Sequence, residues 1–183
     1  MEFSDSTLPS RTPAPVSVER VMADLPLFAP AGRSGTGRLA DVGFSPLHDH
    51  VLECTARYRV AEAEGTGLEV TTRRWPDVDW PPLRDHVRRF GSGHDFLQRR
   101  AEGDTDAEPR VHPLGASWSR ARIGIDGAPY DCDVLHSPYA WAAVAMVEPH
   151  FVVRVAALRA PDAPPALERV RNASEIAPPP RGG

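Results

Sequence analysis

The chain has 183 residues, of which 41% are hydrophobic, 25% charged and 7% aromatic, proportions that suit one folded domain with tails. Its 21 cationic residues are all arginine and are outnumbered by 25 acidic ones, giving a formal charge of -4. That balance argues against a dedicated nucleic-acid binder, which carries a basic excess, and two cysteines exclude a disulfide framework or a four-thiolate zinc site.

The absence of lysine beside abundant Arg, Ala, Pro and Gly fits a GC-rich bacterial genome. The first thirty positions hold no basic start followed by an apolar run, and no stretch approaches the roughly 18 apolar residues of a membrane helix. The expected location is the cytoplasm, with no membrane association.

In chain order, residues 1–45 are rich in Pro, Ser, Gly and Arg and read as a mostly disordered arm, too poor in apolar surface to offset its ordering entropy. Within it, Val18, Val21, Met22, Leu25 and Phe28 recur at helical spacing, which predicts a short amphipathic helix over about 18–28 with Pro26 near its end. So short a helix is not stable alone and has to dock on the domain or on a partner. Gly32-Arg33-Ser34-Gly35-Thr36-Gly37-Arg38 has the composition of a phosphate loop but lacks the preceding strand, the following helix and the lysine, and reads as a linker.

The folded domain is expected over 46–173. Leu52, Cys54, Ala56, Tyr58 and Val60 alternate with polar residues, which predicts a strand with one buried face. Glu64 to Gly67 supplies a turn and Leu68 to Arg74 the returning strand. Asp79, Pro81 and Pro82 start a predicted helix carrying Leu83, Val87 and Phe90 and stopped by Gly91. A second short helix is expected up to Arg100, and Glu102 to Glu108 as an exposed acidic loop.

Ser117 to Ile125 and Tyr130 to His136 flank Asp126-Gly127-Ala128-Pro129, a hairpin signal. A four-residue loop pairs Ile125 with Tyr130, Ile123 with Cys132 and Ala121 with Val134, and on the other face Arg122 with Asp133. Tyr139 to Val147 and Phe151 to Leu158 form a second hairpin, apolar on both faces as in the middle of a sheet. A short helix is expected from about Pro164 to Asn172, and 174–183 as a disordered tail whose terminal Gly182-Gly183 is given no role. The resulting fold class is α+β: a single, mainly antiparallel sheet of about six strands with one or two helices on one face.

No residue set amounts to a catalytic signature, and no cofactor is expected. His48 and His50 offer two imidazoles, with Cys132, His112 or His136 as a third ligand, but no fixed-spacing motif accompanies them and no metal site is assigned. Asp131 and Asp133 share a strand face while His136 lies on the other, which splits an acid/base group. Ser92-Gly93-His94 lacks a nucleophile-elbow context. Arg84, Arg88, Arg89, Arg99 and Arg100 with His86 and His94 form the one concentrated basic region, which the acidic loop can neutralise. Of the tryptophans, Trp141 belongs to a core strand, whereas Trp75 and Trp80 sit in a connection, where aromatic residues anchor partners.

The expected function is therefore a non-catalytic accessory or protein-binding domain of a bacterial cytosolic system. Its partner-binding candidates are Val18, Val21, Met22, Leu25, Phe28, Trp75 and Trp80. The alternative is a small-molecule enzyme or ligand-binding domain with a pocket between sheet and helices.

Overall fold

The computed structural model describes residues 17–32, 37–45, 50–59, 67–74, 96–97, 99–108, 110, 115–138, 140–148, 150–157, 160–161 and 163–176. Helix α1 spans Val18–Asp24. The strands are β1 (Phe28–Pro30), β2 (Gly37–Ser45), β3 (His50–Arg59), β4 (Gly67–Arg74), β5 (Ser117–Ile125), β6 (Ala128–His136), β7 (Trp141–Glu148), β8 (Phe151–Ala157) and β9 (Ala166–Arg169), followed by a 3-10 turn at Ala173–Glu175. They form one sheet in the order β1-β9-β5-β6-β7-β8-β4-β3-β2. All pairs are antiparallel except β5 with β9.

This corrects the expected α+β fold. The protein is mostly strand, a single nine-stranded mixed sheet curled into a half-barrel, with helix confined to short pieces among the described residues. The six expected strands are β3 to β8; β1, β2 and β9 were not expected. Ala166–Arg169 has helix-favouring composition, but pairing decides its conformation. Leu167 lies opposite Ile125 on one side and Pro30 on the other, and is 1% exposed. The helix expected over 79–90 lies outside the described residues.

α1 starts where Ser17 Oγ accepts a hydrogen bond from the Arg20 backbone N–H at 3.2 Å. It ends at Asp24 rather than near Phe28, because Pro26 disfavours helical geometry in the residue before it. Leu25 is accordingly extended (φ -133°, ψ 139°), and Phe28 passes into β1.

The hairpin of β5 and β6 pairs two residues away from the expected register. Ile125 lies opposite Ala128, Ile123 opposite Tyr130, Ala121 opposite Cys132 and Arg122 opposite Asp131. The loop is the two-residue turn Asp126-Gly127, both residues with positive φ (52° and 82°), the geometry that matches the twist of a tight hairpin. A shift of two leaves every side chain on its expected face, and Ile123, Ile125, Cys132 and Val134 are buried.

The concave side is filled by the chain itself. Val21, Leu25 and Ile176, from α1 and the turns at either end, pack against Cys54, Tyr58, Val70, Ile125, Val153 and Val155 of the sheet. A smaller apolar cluster, Leu135, Ala142, Val144, Val152 and Ala156, occupies the opposite face at the middle of the sheet. This two-sided burial matches the mostly apolar sequences of β7 and β8, in which Arg154 and the terminal Glu148 are the charged residues.

Tyr58 ties the two halves of the curl together. Its buried hydroxyl donates to the Phe28 carbonyl at 3.0 Å, from β3 near one edge of the sheet to β1 at the other. Replacing Tyr58 with Phe leaves that carbonyl buried without its partner, and the expected loss is about 1–3 kcal/mol, read as a lower urea midpoint at unchanged slope.

Candidate functional site

The residues singled out for partner binding divide between the core and the undescribed positions. Val18, Val21, Leu25 and Phe28 are 0–6% exposed and belong to the protein's own core, and Met22 packs partly buried beside them. Trp75 and Trp80 lie outside the described residues, as do His48, His94, His112, Arg84, His86, Arg88 and Arg89.

Polar contacts fasten α1 at one carboxylate. Asp24 Oδ2 accepts from the Val51 backbone N–H at 2.8 Å, Oδ1 lies 3.4 Å from His50 Nδ1, and Arg20 approaches at 3.8 Å. Arg74 Nη2 donates to the Asp24 carbonyl at 2.7 Å, capping the C-terminus of α1, while its guanidinium lies 5.4 Å from the centroid of the Phe151 ring. The Val51 hydrogen bond, followed by Arg20 and His50 against a burial cost, holds the Asp24 carboxyl below its ordinary value of 3.8. With the folded value depressed, this contribution is fully present above the unfolded value of 3.8 and is lost as pH falls through the folded one. Asp24→Asn is therefore expected to be less stable than the parent at neutral pH. The gap should close as pH drops below about 4, measured as urea midpoint against pH.

The other candidate groups are already engaged. His50 begins β3 beside Asp24, away from the buried Cys132, and His136 Nε2 lies 3.1 Å from Ser119 Oγ. Asp131 pairs with Arg122 at 2.8 Å and Asp133 with Arg120 at 3.7 Å, both across the hairpin. Arg99 pairs with Asp104 and Arg100 donates to the Thr105 carbonyl, so the acidic loop does meet this end of the basic region. Burial pushes the Cys54 thiol up to about 12 and raises Cys132 as well, which keeps both protonated and poorly nucleophilic. Among the described residues no three His, Cys, Asp or Glu side chains gather into a metal site.

Two polar features were not foreseen. On the convex face Glu69 accepts from Arg57 Nε and Arg154 Nη2, each at 3.2 Å. Arg154 also donates to Thr71 Oγ1, which lies 2.8 Å from Thr55 Oγ1. These partners satisfy one another across β3, β4 and β8 and fix their register. At the rim, an open depression of about 640 Å³ is lined by Asp126, Glu168, Arg169, Arg171 and Glu175, with Pro30 and Gly32 at its side. It is a shallow charged hollow at the β1 end of the sheet, outside the apolar space between sheet and helix.

The two edges of the sheet differ. β1 has three residues, all buried; it ends in Pro30, which has no N–H, and its Phe28 carbonyl is taken by Tyr58. β2 has nine residues, and among the described residues no strand pairs with its far side. Its Asp41 is exposed and accepts the Val42 backbone N–H at 2.9 Å, so one donor of this edge is met by a side chain rather than a strand. Unpaired edges of this length are templates for another strand unless they are blocked.

No helix among the described residues is long and apolar enough to cross a membrane. Comparison with family models, with curated proteins and with solved structures finds no match to this chain.

Proposed function

We propose that this chain is a non-catalytic protein-binding domain, an accessory component of a bacterial cytosolic system. The observation that carries the reading is the filled concave side. Where a curled sheet commonly holds a small molecule, Val21, Leu25 and Ile176 are packed at 0–2% exposure. The Asp and Cys groups considered for chemistry are paired or buried as thiols, which supports the same reading. Two buried, unlinked cysteines suit a reducing compartment, in keeping with a cytoplasmic location.

The test is co-purification of the tagged full-length chain from its native cytosol at endogenous expression. One or a few proteins recovered in stoichiometric, saturable amounts are expected. Recovery of the chain alone, together with a native mass spectrum showing a stoichiometric bound small molecule, would contradict the proposal and favour the ligand-binding alternative.

A further inference from the structure

We draw no further inference here: the strongest candidate, the β2 edge of the sheet, where Leu39 and Val42 are partly buried against the core and Phe44 is exposed, carries nothing because nothing in the structure shows what covers it.

Discussion

Ile123→Asp is expected to abolish the cooperative unfolding transition. Ile123 is 1% exposed in the middle of the core cluster, opposite Tyr130 on β6. A carboxylate placed among the apolar side chains of that cluster is desolvated, or is forced to protonate at neutral pH. Either cost adds to the packing lost with the isoleucine. Together they reach several kcal/mol against a total stability of roughly 5–15 kcal/mol for a domain. Circular dichroism and a thermal scan check this; a folded variant with an unchanged midpoint would mean that Ile123 does not face the core.

The second large effect is expected from the double replacement Leu25→Ser with Phe28→Ser. Both side chains are 2–3% exposed inside the half-barrel, although they belong to a stretch whose composition suggests a disordered arm. Large-to-small replacements of this kind cost about 2–5 kcal/mol each, and the hydroxyls add a polar burial cost. A loss of about 5 kcal/mol or more is expected, read as a strongly lowered urea midpoint. The same variant with unchanged stability would show that α1 and β1 do not contribute to the fold.

The central hairpins are legible because their residues obey one period. Cys54, Ala56 and Tyr58 alternate with polar neighbours, Asp126-Gly127 marks a turn, and the strands flanking residues 148–150 are apolar enough for two-sided burial. Asp126 and Gly127 form the turn, but Ala128 and Pro129 belong to β6, so the loop has two residues rather than the expected four and the register shifts by two with the faces kept. The ends of the sheet were illegible for physical reasons. Leu39 and Val42 stand three apart and, in a regular strand, would point to opposite faces; the bulge at Ala40 puts them on one, so period-two reading finds no strand. β1 is three residues containing a proline, and β9 is Ala-Leu-Glu-Arg, a helix-favouring string held extended by its neighbours.

The candidate site shared this fate. Val18, Val21, Met22 and Leu25, which share helical spacing, pack in or against the protein's own core. That β2 has no strand on its far side among the described residues follows from which strands are outermost, and topology of that kind has no local signature in sequence. The Asp24 anchor likewise joins residues 27 apart in the chain.

Among the described residues the sheet has one closed edge, β1, and one unpaired edge, β2, and residue-resolved hydrogen exchange of the full-length protein under native conditions tests this most directly. Slow exchange is predicted at Leu25, Ala29 and Ala31 together with β6, β7 and β8, and markedly faster exchange for the amides of β2 that face away from β3. Fast exchange throughout α1 and β1, with β2 as protected as β7, would contradict it.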